Sequence, residues 1–358
     1  MFKEIRMLTQ ISIVAALAAV PCALVSSAFG QAPVVDGTLD AIYVPADDLA
    51  VQALTTGFGN STLGLVDVAN GSELDGLHAV VNGGVLYLFF GGNLESNFNK
   101  LEVFIDCRSG GQNRLPGNNP DIDFNALNRM GDDGSGNGLT FDTCFSADFY
   151  LTTTCGGTPV ALYANLAQLL TEGGGIGAYI GTGTPGSVPI DNVKFGVKVA
   201  INNSNIAGVG GDGGKASGAG VTTGIEMSIP LILLGYEATT QKNIKICAAI
   251  NGGGHDYLSN QFLAPLAPMG NLGEPRSVNL STIEGNQYAI LVVDANEPDC
   301  PVVPPACPAD FNGDQVIDGS DLTSLLSGWG TAAGDTNGDQ TTDGSDLTTL
   351  LSAWGPCV

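Results

Sequence analysis

The last stretch of the chain reads DFNGDQVIDGSDLTSLLSGWG from Asp310 and then, in almost the same letters, DTNGDQTTDGSDLTTLLSAWG from Asp335. No other feature limits the fold as tightly. A unit this short buries too little surface to fold alone, so two copies in one register must share a core. Each copy changes character midway. Oxygen-bearing side chains fall at loop positions one, three, five, nine and twelve: Asp310, Asn312, Asp314, Asp318 and Asp321, then Asp335, Asn337, Asp339, Asp343 and Asp346. A hard cation such as Ca2+ takes roughly six to eight oxygens, and a twelve-residue loop with this spacing wraps one ion. The ligand at position seven is a backbone carbonyl, here that of Val316 and Thr341. Directly afterwards the period becomes helical, with Leu322, Leu325, Leu326 and Trp329 on one face and Leu347, Leu350, Leu351 and Trp354 repeating them. The pattern predicts two Ca2+ loops, each feeding a short helix, with two ions organising a small domain that needs its metal to fold.

This duplicated D-x-N-x-D-x-x-x-D-x-x-D-L spacing, within residues 307–358, resembles the type I dockerin, a calcium-loop and helix module of exported bacterial proteins. The resemblance implies an EF-hand-like fold, two bound Ca2+ ions and a cohesin-like protein or surface scaffold as partner. Two departures stand out. Position six, where the chain turns with positive φ and Gly is usual, is Gln315 and Gln340, at a cost on the order of 1 kcal/mol each. After position nine, where dockerins present hydroxyl residues to their partner, stand Gly319-Ser320 and Gly344-Ser345, which is half of that signature.

Ahead of the repeats, EPDCPVVPPACPAD is too rich in proline to pair into a sheet and reads as a semi-rigid linker over 296–306. Residues 32–295 read as one large β-rich domain. GVLYLFFGG, KLEVFIDC, VKFGVKVAI, GIEMSIPLILL, IKICAAI and QYAILVV are short, β-branched and aromatic, and Gly, Asn, Asp and Pro punctuate them. The expected fold is mainly β: a jelly-roll-like β-sandwich with long loops, followed by the small α, EF-hand-like calcium module. TPVALYANLAQLL is ambiguous between helix and strand and leans towards a short helix. Asp36, Gly37 and Asp40, then Leu86 and Tyr87, Phe104, Ile105 and Asp106, and finally Glu226, Ile229, Pro230, Leu234 and Gly235 resemble the framework of family-nine carbohydrate-binding modules and DOMON-type domains. That resemblance implies a sandwich and a polysaccharide partner. Flat aromatics normally stack on sugar rings, yet both Trp residues of the chain lie in the repeats. The tyrosines of the large domain read mostly as core or edge packing.

At the start, Lys3 and Arg6 precede the apolar ISIVAALAAV and small residues up to AFGQA, the layout of a secretory signal peptide over 1–30. Export to the extracellular space or the cell surface is expected, without membrane insertion. A net charge of −24 excludes nucleic acid and anionic membranes as partners and suits divalent cations. In an exported chain the cysteines should mostly pair: Cys144 with Cys155 locally, Cys107 with Cys247 across a core, and Cys307 with Cys357 around the repeats, leaving Cys300. G-x-S-x-G and H-E-x-x-H are absent, and His78 and His255 read as ordinary loop or strand-end residues. Glu73, Asp106, Asp142, Asp148 and Glu226 are candidates for a hydrolytic carboxylate pair, with solvated loops the simpler reading. Asp133, Ser135 and Asn137 alternate as in a further cation loop, without a later acid at the right offset. The expected function is a secreted calcium-binding protein whose non-catalytic sandwich and dockerin-like tail serve attachment or assembly, on polysaccharide. The alternatives are a glycoside hydrolase carrying a dockerin and a purely structural surface protein.

Overall fold

In the computed structural model, residues 31–43, 49–58, 71–210, 217–236, 243–293, 309–312, 316–336 and 341–356 are described. The expected signal segment (1–30) and linker (296–306) lie outside the described residues, as do Cys300, Cys307, Cys357, Asp314, Asn337, Asp339, Gln315 and Gln340.

Hydrophobic alternation builds the large domain. The early strands are β1 (Ala50–Val51), β2 (Glu73–Asn82), β3 (Val85–Asn93), β4 (Asn97–Asp106), β5 (Phe149–Gly156), β6 (Ala161–Gln168) and β7 (Gly177–Gly183). They are followed by β8 (Ile190–Asn192), β9 (Val197–Ile201), β10 (Gly224–Pro230), β11 (Ile244–Asn251), β12 (Leu258–Leu263) and β13 (Ala289–Leu291). One antiparallel sheet runs β1-β2-β3-β10-β9-β8, and the other β12-β11-β4-β5-β6-β7 with β13 beside β11. Their inner faces meet over one core, with Leu77, Leu88, Phe90 and Met227 from the first sheet against Leu101, Val103, Leu151 and Ile246 from the second. Two packed antiparallel sheets make the domain a β-sandwich.

A second core covers the outer face of β4, β5 and β11. Phe104, Tyr150, Cys247 and Phe262 meet Leu115, Phe141, Phe145 and Tyr288 there. Much of that cover is the long polar segment between β4 and β5, which folds around the short helix α1 (Ala126–Met130). Two cysteine pairings are overturned by this layering. Cys107 belongs to the inner core and Cys247 to the outer one, so the sheet itself separates them, and both are buried thiols. Cys144 is disulfide-bonded, but not to Cys155, which faces the inner core while Cys144 packs on the outer one. TPVALYANLAQLL is strand β6, not helix. Pairing with β5 and β7 on both sides overrides its weak helical propensity, and Leu162, Ala164 and Leu166 alternate into the core.

Glu226 fixes the first turn of the domain. The N–H groups of Asp36 and Gly37 donate to its Oε2 at 3.0 and 3.1 Å, and the Tyr43 hydroxyl donates to its Oε1 at 2.9 Å. Gly37 has φ +83 there, and a Cβ on it would meet Asn202 N at 2.5 Å. Glu226→Ala leaves three donors without their acceptor, two of them buried, so urea unfolding is expected to show a loss of about 2–4 kcal/mol, with Glu226→Gln losing less.

In the tail, helices α2 (Gly319–Ser327) and α3 (Gly344–Ser352) share a core of Ala309, Ile317, Leu325 and Leu350, flanked by Phe311, Leu322 and Leu347. The repeats clasp each other reciprocally. Strand β14 (Val316–Ile317) pairs with β15 (Gly355–Pro356), beyond the second helix. At the matching place in the other copy, Gly330 N–H donates to the Thr342 carbonyl and Thr342 N–H to the Thr331 carbonyl. The expected apolar face divides: Leu325 and Leu350 turn inward, whereas Leu326, Trp329, Leu351 and Trp354 are about half exposed.

Candidate functional site

A groove of about 470 Å³ opens on the outer face of the second sheet, beside the second core. Alternation along β5, β6 and β7 turns Thr154, Tyr163, Asn165 and Tyr179 outward to form its floor. Phe98 and Phe124 stand at its walls, with Lys100 and Asp123 between them. Both phenylalanines are held in unusual backbone. Phe98 has φ +70 inside a bulge of β4 and lies over Gly156, where a Cβ would sit 2.5 Å from the ring. Asp123, Phe124 and Asn125 are three consecutive left-handed residues, at φ +44, +57 and +69. Left-handed non-glycine residues cost about 1–3 kcal/mol each, and such strain concentrates at binding sites. Here it leaves Phe124 96% exposed.

A buried charge network holds that strained turn. Asp123 Oδ2 accepts from Lys100 Nζ at 2.9 Å and lies 3.1 Å from His255 Nε2. His255 Nδ1 is 2.7 Å from Glu102 Oε1, and Glu102 also accepts from the Tyr150 hydroxyl at 2.6 Å and from Asn251 Nδ2 at 3.1 Å. With a carboxylate at each ring nitrogen, His255 donates from both and is an imidazolium. Burial opposes that charge, but Glu102 and Asp123 outweigh it and raise His255 to about 9. Burial likewise opposes ionisation of Glu102 and Asp123, yet His255 and Lys100 hold both below the ordinary carboxylate range. Two anions and two cations balance within the network. Asp123 is the only acid among the described residues that line the groove.

The carboxylates singled out in the sequence do other work. Asp148 accepts from the N–H groups of Cys107 and Arg108 at 2.9 Å each, Asp106 from Ser146 N–H, Asp142 from Gln287 N–H, and Glu226 from the opening turn. Each staples backbone, and Glu73 is buried under another loop. Asp133, Ser135 and Asn137 hydrogen-bond within their own exposed turn. His255 is not an ordinary loop residue but the centre of the network. Tyr43 and Tyr150 are core residues as expected, while Tyr163 and Tyr179 belong to the groove.

In the tail, Asp318 and Asp343 cap α2 and α3, accepting from Ser320 and Ser345 N–H at 2.7 Å. Asp321 is buried and accepts from Phe311, Asn312 and Asp318 N–H. Asp346 does the same for Thr336 and Asp343. The position-twelve acids therefore fold the start of each loop back onto its helix. Asp310, Asn312 and Val316, and Asp335 and Thr341, add further oxygens to an all-oxygen donor set, which fits a hard cation by its chemistry. Among the described residues no three acidic, histidine or cysteine side chains converge as a metal site.

Comparison with known proteins returns no match: no family model, no curated protein and no solved structure is significantly similar to this chain. The groove rests on its geometry alone. Phe98, Lys100, Glu102, Asp123, Phe124, Thr154 and Asn165 stand outside every motif in the sequence. One signal was present, since Lys100 and Glu102 occupy the outward positions of KLEVFID, and only a partner on that face would keep two charges in one strand buried.

Proposed function

We propose that this is a secreted, non-catalytic attachment protein: a jelly-roll-like sandwich that captures a neutral carbohydrate chain, carried by a dockerin-like tail that binds two Ca2+ ions. The observation that carries the reading is the groove, where exposed Phe124, Phe98 and Tyr179 surround Asn165, Thr154 and a charge-neutral Lys100–Asp123 pair. Aromatic faces stack on the apolar faces of sugar rings, and amides and hydroxyls bond their hydroxyl groups. Glycoside hydrolysis needs a carboxylic acid held protonated opposite a second carboxylate. Asp123 is instead held ionised, which favours binding over cleavage.

The tail supports assembly. Leu326 with Trp329 and Leu351 with Trp354 give two equivalent apolar patches, suited to a cohesin-like partner or surface scaffold that docks in either of two orientations. Affinity electrophoresis and calorimetry against soluble neutral polysaccharides test the groove. Phe124→Ala and Tyr179→Ala are each expected to weaken binding about tenfold or more with an unchanged melting temperature, because both side chains are exposed. Release of reducing sugar by the wild-type chain would move the reading to a hydrolase, and binding unaffected by both variants would remove the groove from it.

A further inference from the structure

Beneath the loop that follows β9, the sandwich encloses more oxygens than donors. Glu73 and Asp75 on β2 and Asn93 on β3 are fully buried. Glu73 is the register partner of Asn93, and the pairing slips between Leu74 and Gly76, so Asp75 is the extra residue of a β-bulge. The bulge lets both carboxylates reach one nitrogen. Asn205 Nδ2 lies 3.2 Å from Glu73 Oε1, 3.0 Å from Asp75 Oδ2 and 2.7 Å from the Ala207 carbonyl oxygen. An amide NH2 has two hydrogens, so three acceptors oversubscribe it. Asn93 Nδ2 also donates to Glu73 Oε1, at 3.2 Å, and Val209 N–H donates to Asp75 Oδ1 at 2.7 Å. Glu73 Oε2 and Asn93 Oδ1 are left buried without a hydrogen-bond partner.

Two buried carboxylates side by side must either share a proton or take a counter-charge. Among the described residues no lysine, arginine or histidine bears on either one. The loop presses closely on the pair: Gly208, at φ +94, has room for no side chain, since a Cβ would stand 1.9 Å from Asp75 Oδ1.

We propose that Glu73, Asp75 and Asn93 hold a Ca2+ ion inside the sandwich, separate from the two loops of the tail. The donors are all oxygen, as a hard cation requires, and two carboxylates neutralise one divalent charge. The orphaned Glu73 Oε2 and Asn93 Oδ1 gain the partner they lack. The ion would also tie the β2–β3 hairpin to the loop after β9, through the Asn205 and Val209 contacts to the same carboxylates.

The test uses the full chain carrying Asp310→Ala and Asp335→Ala to disable the tail loops, purified in calcium and desalted into metal-free buffer. Atomic emission is expected to count one Ca2+ per chain, and calorimetry to show the sandwich transition about 5–10 °C above that of the EDTA-treated chain. Adding Glu73→Gln should remove both the ion and the shift, and Asn93→Leu should weaken calcium about tenfold or more. A chain that retains no calcium and whose sandwich transition EDTA does not move overturns the proposal. So does an ion that survives Glu73→Gln. The count on the chain with Glu73 intact decides the question even if the Glu73 variant does not fold.

Discussion

Glu102→Ala is expected to destabilise the sandwich by about 3–5 kcal/mol and to abolish the carbohydrate capture proposed for the groove, as read by urea unfolding and by calorimetry against a neutral oligosaccharide. The variant leaves His255, Tyr150 and Asn251 without the acceptor that all three share. Removing one member of a buried pair costs more than the pair contributes, because the remaining charge stays desolvated. The damage then passes to Asp123, which His255 and Lys100 hold in a left-handed conformation. Once that turn relaxes, the exposed Phe124 ring no longer stands at the groove wall.

The same network sets a pH dependence. His255 is raised to about 9 from the ordinary 6.5, so the folded state keeps a proton that the unfolded chain releases. Its contribution, about 3 kcal/mol at most, is fully present below pH 6.5 and is lost as pH rises through about 9. Glu102 and Asp123 are shifted downward, so their contribution is present above the ordinary carboxylate range and is lost as pH falls below it. Wild-type stability should therefore fall between pH 6.5 and 9.5, and Glu102→Ala should flatten that slope. A wild-type unfolding midpoint that does not change across this interval would show that His255 is not an imidazolium.

Chelation is expected to unfold the tail outright. Both helices have nine residues, short of the roughly 12–15 at which an isolated helix becomes even marginal in water. Among the described residues their shared core holds four buried apolar side chains, Ala309, Ile317, Leu325 and Leu350, a small core to set against chain entropy. Two Ca2+ ions would supply the difference. Trp329 and Trp354 are the only tryptophans of the chain, so their fluorescence reports the tail alone. EDTA should move that emission to its unfolded limit with loss of helical circular dichroism, and excess Ca2+ should restore both. Asp321→Ala with Asp346→Ala should abolish the recovery, because those carboxylates fold each loop back onto its helix. Emission indifferent to EDTA and Ca2+ would end the metal-dependent reading.

Much of the fold was legible because it rests on short-range periodicity. KLEVFIDC, GIEMSIPLILL and IKICAAI alternate or run apolar as strands must, and they became β4, β10 and β11. The repeat declared two loop–helix units, and its acids at positions nine and twelve fall where helix caps are needed. TPVALYANLAQLL was not legible, since its strand state comes from neighbours on both sides and not from its own residues. Nor was the inward half of the tail's apolar face. Leu325 and Leu326 are identical in type, and packing geometry alone buries one and exposes the other.

By itself the sequence determined what period can encode: strands, helix starts, and a tail that needs two copies to make one core. The tertiary structure decided everything that depends on which face of a sheet a residue meets. It separated Cys107 from Cys247 by the thickness of a sheet. It also brought Lys100, Glu102, Asp123 and His255 together under one strained turn, although His255 is 132 residues from Asp123 along the chain. A charge network between such distant residues leaves no local pattern, because its free energy lies in desolvated contacts that exist only once the two cores have closed around them.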